Sequence, residues 1–177
     1  MLKINIRQMI LVSLFAALTA IGAFISIPIY PVPFTLQTLF TLLAAMTLGS
    51  VMGALSQIIY VLLGVVGLPV FAGFKAGIGI LFGPTGGFLF GFIISAYIIG
   101  KMIELKKEKN IFYYFLVGSL GTILLYLFGI TQLSLVAGIG VKKAITLGML
   151  PFLPGDILKI ITASFIVSKL KTVIELK

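Results

Sequence analysis

No cysteine, histidine or tryptophan occurs in the chain, and only four of its 177 residues are acidic. Without cysteine there is neither a disulfide nor a thiolate nucleophile, and without histidine as well the usual zinc, haem and iron–sulfur ligand sets are missing. Three of the four carboxylates, Glu104, Glu108 and Glu175, lie in lysine-bearing segments far along the chain from the fourth, Asp156. Asp156 therefore has no neighbouring acid, imidazole or thiol with which to form an acid–base pair or a triad. The glycine pairs lack the lysine spacing and strand context of a phosphate loop, so no ATP-binding motif is present. An enzyme would have little to work with, no metal or other cofactor is implied, and any energised process would need another chain to supply the energy.

What is present is apolar: 60% of the residues are hydrophobic, 10% are charged, and the mean hydropathy is +1.28. A spanning helix uses about 20 mostly apolar residues, so nearly the whole chain is taken up by spans and short links. The expectation is an all-α integral membrane protein with one domain, residues 1–177. Six spans fit, at about 9–29, 34–48, 51–68, 84–100, 111–131 and 152–167. A basic head (Lys3, Arg7) before residues 9–29 resembles a signal peptide, but that run is longer than a usual signal core. Pro28, Pro31 and Pro33 force a loop between the first two spans, and Gly49-Ser50 makes a tight link between the second and third. Residues 101–110, with four lysines and two glutamates, belong in water. Residues 132–153 are apolar but broken by glycine, lysine and proline, and read as a short or re-entrant helix.

The net charge of +9 points to the membrane rather than to nucleic acid once its distribution is considered. Six spans put Lys3, Arg7, Lys101, Lys106, Lys107, Lys109, Lys169, Lys171 and Lys177 on one side and only Lys75, Lys142 and Lys143 on the other. That is the positive-inside pattern, so both termini are expected on the cytoplasmic side of a cell membrane. The stretch 67–91 then faces outward. Its eight glycines and two prolines support helix poorly, and backbone freed from helix at membrane depth must be covered by protein or line a cavity.

Asp156 and Lys159 lie three apart on one helical face near the outer end of the last span. Intramembrane charges usually face the bundle interior and mark a ligand or ion path. In the functional reading Lys159 donates to an anionic ligand group and Asp156 accepts from ligand N–H groups; a mutual ion pair and a helix-capping role for Asp156 are the alternatives. Polar Thr35, Gln37, Gln57, Tyr60, Lys75 and Thr85 fall at a similar level, amid aromatic Tyr30, Phe34, Phe71, Phe74 and Phe88. That mixture is the composition of a small-molecule pocket, although Gln57 and Tyr60 equally suit interhelical hydrogen bonds. Ala16, Ala20 and Ala23 share one face of the first span, where small residues admit a second helix from within the chain or from a partner.

Four motifs, Pro31-Val-Pro-Phe-Thr-Leu-Gln37, Gly67-Leu-Pro-Val-Phe-Ala-Gly73, Gly83-Pro-Thr-Gly-Gly87 and Leu153-Pro-Gly-Asp-Ile-Leu-Lys159, occur in an order and spacing that resemble the BioY family. Those proteins are the biotin-binding S components of energy-coupling-factor (ECF) vitamin importers. The resemblance implies six helices, a biotin site near the outer face, and assembly with a transmembrane T component and two ATPases. It places the family's Asp-x-x-Lys pair on Asp156 and Lys159, its third-loop site around Phe71 and Gly73, and its small-residue coupling face on Ala16 and Ala20. Phe74 and Lys75 stand where the family pattern has glycine and another small residue, and Phe88 where a tyrosine is usual. A lysine suits biotin's carboxylate and Asp156 its ureido N–H groups; whether that lysine is Lys159 or Lys75 is open at this level. An S component for another vitamin and a stand-alone facilitator are the competing functions.

Overall fold

The computed structural model describes residues 5–175, except for the side chains of 171–175. Lys3 and Lys177 and the side chain of Lys171, counted above, lie outside the described residues. The architecture is helical: α1 (Ile6–Phe24), α2 (Gln37–Val65), a 3-10 turn (Ile78–Phe82), α3 (Gly86–Leu105), α4 (Ile111–Val136), α5 (Val141–Gly148) and α6 (Leu153–Glu175). Among the described residues, α1, α2, α3 and α4 are each long and apolar enough to cross a membrane. A bend of 58° separates α5 from α6, which together make one further broken span or a re-entrant turn.

α2 is two helical arms joined at a sharp break rather than one straight helix. Gly49 has φ 81° and ψ −172°, a conformation open essentially to glycine alone. Sixteen residues along a straight helix would separate Thr41 from Gln57 by about 24 Å, yet the Thr41 hydroxyl donates to Gln57 Oε1 at 3.1 Å. Gln37 Nε2 likewise donates to the Tyr60 hydroxyl at 2.7 Å. The helix therefore doubles back at Gly49, within the link expected from sequence, and its two arms lie side by side. A Cβ on Gly53 would sit 2.9 Å from the Ala45 Cα, which shows how closely they pack.

The second arm starts with N–H groups that need partners, and α3 supplies one. Glu104 accepts from the Ser50 backbone N–H at 2.7 Å and from its hydroxyl at 2.9 Å. Glu104 lies past residue 100, where the fourth span was expected to end; α3 instead runs to Leu105, and this contact holds its final turn.

Other boundaries also differ from the expected spans. α1 stops at Phe24, not near residue 29, because Ser26 and Ile27 pair antiparallel with Thr35 and Phe34. The prolines between those strands lack N–H groups and bias their neighbours to extended backbone. α4 continues to Val136, five residues past its expected end, and closes where Gly138 takes φ 62°, the left-handed stop common after helices.

α2 packs between α1 and α3, α3 against α4, and α6 against α4 and α2. One apolar cluster joins Leu42, Met46, Ile99, Tyr114, Val117 and Ile160. A second gathers Tyr60, Phe71, Leu89, Phe92 and Leu125, and a third Val32, Tyr126, Ile130 and Phe152. Leu14, Ile21, Leu62, Leu120, Ile123, Leu127, Ile161 and Phe165 point outward and exposed, as a lipid-facing surface requires. Gly49→Ala would place a Cβ 2.5 Å from Glu104 Oε1 as well as straining the backbone. We expect a cost of about 1–3 kcal/mol and a thermal midpoint in detergent about 5 °C lower, measured by the melting of tryptic resistance.

Candidate functional site

A cleft of about 790 Å³, its mouth included, opens where the second and third apolar clusters meet. Its walls come from the loop after α1 (Pro31 to Thr35), the start of α2, the loop between α2 and α3 (Phe71, Ala72, Lys75, Ile80), α3, α4 and the start of α6. Phe34, Thr35, Gln37, Phe71, Lys75, Thr85, Phe88, Asp156 and Lys159, all singled out from sequence, line it.

Pro154 and Gly155 start α6 and put Asp156 in its first turn, where the axis carries partial positive charge. Asp156 and Lys159 are 4% and 5% exposed. Lys159 Nζ donates to Asp156 Oδ1 at 2.7 Å, and the Tyr126 hydroxyl of α4 donates to Oδ2. The carboxylate's partners are thus two side chains, so the capping alternative is not what the structure adopts. Each oxygen still has acceptor capacity. Lys159 Nζ also lies 3.8 Å above the Phe34 ring, and Phe34 stacks on Phe152 at 6.0 Å. Phe88 meets Tyr126 edge-on at 6.5 Å. A charged pair is therefore held at the wall of an aromatic box, where desolvation strengthens every charge-assisted hydrogen bond.

A second polar chain ties the loops to the bundle. The Thr35 hydroxyl donates to Gln37 Oε1 at 2.9 Å, Gln37 Nε2 to Tyr60, and the Tyr60 hydroxyl to the Val70 carbonyl at 3.2 Å. Tyr60 is fully buried and stands behind the wall rather than in it, as a support for Gln37. Phe71 packs its ring edge-on against Tyr60 at 5.7 Å and over Gly64, where a Cβ would collide with it. The α2–α3 loop is thereby plugged into the second arm of α2.

Gly73 is also off the wall. It and Phe74 form the tip of a turn closed by Phe71 N–H donating to the Lys75 carbonyl at 3.0 Å, with φ values of 72° and 56°. Phe74 thus adopts a conformation that suits glycine, the residue the family resemblance implies there, and its ring stacks on Phe24 of α1 at 4.7 Å.

Gln57 serves the bundle rather than the cavity: besides accepting from Thr41, its Nε2 donates to the Thr19 hydroxyl at 3.3 Å, tying α1 to both arms of α2. The small-residue face suggested for partner contact packs within the chain. Ala16, Ala20 and Ala23 are 2%, 8% and 0% exposed, with Ala16 and Ala20 packed in the cluster of Tyr60 and Val61. Their small side chains let α2 approach inside this chain.

Tyr126, Thr38, Phe92, Leu125 and Phe152 line the cleft and were not singled out. For Tyr126 a signal existed: Gly118, Gly121, Thr122 and Gly129 mark the inward face of α4, and Tyr126 follows Thr122 by one helical turn on that face. Asp156→Leu strands the buried Lys159 ammonium, which should cost about 3–5 kcal/mol. The double variant Asp156→Leu/Lys159→Met should regain most of that stability in a thermal melt; failure to recover would show that the pair is not mutually compensating.

The BioY family model matches residues 1–175. The chain is 45% identical to a biotin transporter BioY of Thermotoga maritima over 165 residues, covering 93% of this chain and 96% of that protein. It is 43% identical to a probable biotin transporter BioY of Pyrococcus horikoshii, with the same coverage, and 38% identical to a biotin transporter BioY of Rhizobium etli over 90% of each chain. A crystal structure of the S-component for biotin from an ECF-type ABC transporter superposes with a TM-score of 0.87 at 28% identity, covering 94% of this chain and 92% of that one. With transporters as its relatives and several membrane-length apolar helices, the chain is a multi-pass membrane protein, and it belongs to the BioY family.

Proposed function

We propose that the chain captures biotin in the cleft between the outer loop and α6 and is the S component of an ECF-type importer. The observation that carries this reading is a buried carboxylate with spare acceptor capacity in a box of phenylalanines. Biotin's ureido N–H groups are donors of the kind Asp156 can accept, its fused rings are apolar, and the cleft has the mostly apolar and aromatic lining with a few placed polar groups that is usual for small-molecule sites. Thr35, Gln37 and Thr85 offer neutral groups for the ureido carbonyl, and Phe34, Phe71 and Phe88 offer faces for the rings. The chain is then a carrier of cargo rather than an enzyme.

Six crossings are the reading that joins fold to function: α1, the two arms of α2, α3, α4 and α6, with α5 re-entrant and the Gly/Pro-rich loop between the third and fourth crossings covering the ligand outside. The Glu104–Ser50 contact supports it, because it puts the Gly49 turn beside the end of α3 that leads into Lys106, Lys107 and Lys109. That end is the cytoplasmic one by the positive-inside rule, with both termini on the same side. Energy then comes from a T component and two ATPase subunits in the same bilayer.

Equilibrium titration of the purified chain tests the ligand. Biotin should bind far more tightly than millimolar and more tightly than another vitamin; affinity no better than millimolar, or equal for the second vitamin, overturns the proposal. Asp156→Asn should weaken biotin binding more than tenfold without altering the melting profile, since a charged hydrogen bond contributes about 1.5–3 kcal/mol.

A further inference from the structure

Three fully charged side chains line the cleft: Asp156, Lys159 and Lys75. Asp156 and Lys159 are paired at 2.7 Å and neutralise each other. Lys75 has no acidic partner and no ring beneath its ammonium among the described residues. One positive charge on the wall is therefore uncompensated. Its place is set by the turn that carries it: the antiparallel bridge between Phe71 and Lys75 anchors the residue beside a buried phenylalanine. Gly73, at φ 72°, lets the turn close, and the Lys75 stem runs back alongside it, its Cε 3.9 Å from the position a Gly73 Cβ would take.

Resting on the biotin reading, we infer that Lys75 is the anchor for the ligand's carboxylate and makes the site selective for a ligand of net charge −1. Lys159 is a poor rival. Its ammonium is buried and committed to Asp156 on one side and to the Phe34 ring on another. Drawing a second carboxylate to it would set two anions against one cation at a desolvated point. Lys75 lies in the outer loop rather than on α6, is exposed, and has a long flexible stem free to close on a tail that projects from the cleft. With Lys75 engaged the occupied site is neutral, the state favoured near a membrane interior. Ligands with the same rings but a capped carboxylate leave that charge unmatched.

Biotin and biotin methyl ester titrated against the purified wild-type chain, K75Q and K75R distinguish the possibilities, since the ester keeps rings and chain but loses the charge. The wild type should bind biotin about tenfold more tightly than the ester. K75Q should lose about that factor for biotin alone and bind the ester unchanged, which also shows that it is folded, whereas K75R should keep the preference for biotin. A K75Q protein that retains the wild-type ratio of biotin to ester affinity, or that weakens for both ligands alike, overturns the inference while the biotin reading stands. A wild-type chain that binds neither ligand overturns that reading, and the inference with it.

Discussion

A carboxylate inside a membrane protein cannot be left alone, and the structure is arranged around meeting that constraint at Asp156. The lysine one turn along α6 and the hydroxyl of Tyr126 on α4 take its two oxygens. Those contacts fix how α4 and α6 face each other, and Phe34 over the lysine draws in the loop after α1. Phe34 approaches so closely that Gly155 has no room for a side chain. The cleft is the space left beside this knot, so stability and recognition share the same atoms. A ligand with N–H donors can use the remaining acceptor capacity without breaking the existing pair.

The second organising device is the reversal of α2 at Gly49. It brings Gln37 beside Tyr60 and Thr41 beside Gln57, turning residues distant in sequence into neighbours across one helix pair. Through Tyr60 and the Val70 carbonyl the same chain of hydrogen bonds reaches the α2–α3 loop, and Phe71 locks that loop over Gly64. A segment too rich in glycine to form a spanning helix is thus held in place by a few specific contacts while its lysine remains free at the mouth.

Much of this was legible in the residues, for identifiable reasons. Asp156 and Lys159 stood out because charge is scarce in apolar sequence, and the Gly49 reversal because glycine and serine interrupt a long apolar run. The outer loop announced itself by composition. The missed parts lacked such contrast. Phe92, Leu125 and Phe152 are ordinary members of apolar helices, and only the three-dimensional packing tells which of them meet the cleft. Helix ends were misjudged where pairing was not local: Ser26 and Ile27 leave the helix for Phe34 and Thr35, and Glu104 stays helical because Ser50 holds it. Ala16, Ala20 and Ala23 showed a face of small residues, but such a face looks the same whether its neighbour is an internal helix or another protein.

In the proposed complex biotin occupies the cleft with its ureido group on Asp156. A structure of the purified chain determined with biotin bound tests it most directly. Biotin should lie between Phe34, Phe71 and Phe88, with a ureido N–H within hydrogen-bond distance of an Asp156 oxygen. Biotin found elsewhere, or in the cleft with its ureido group turned away from Asp156, would contradict it.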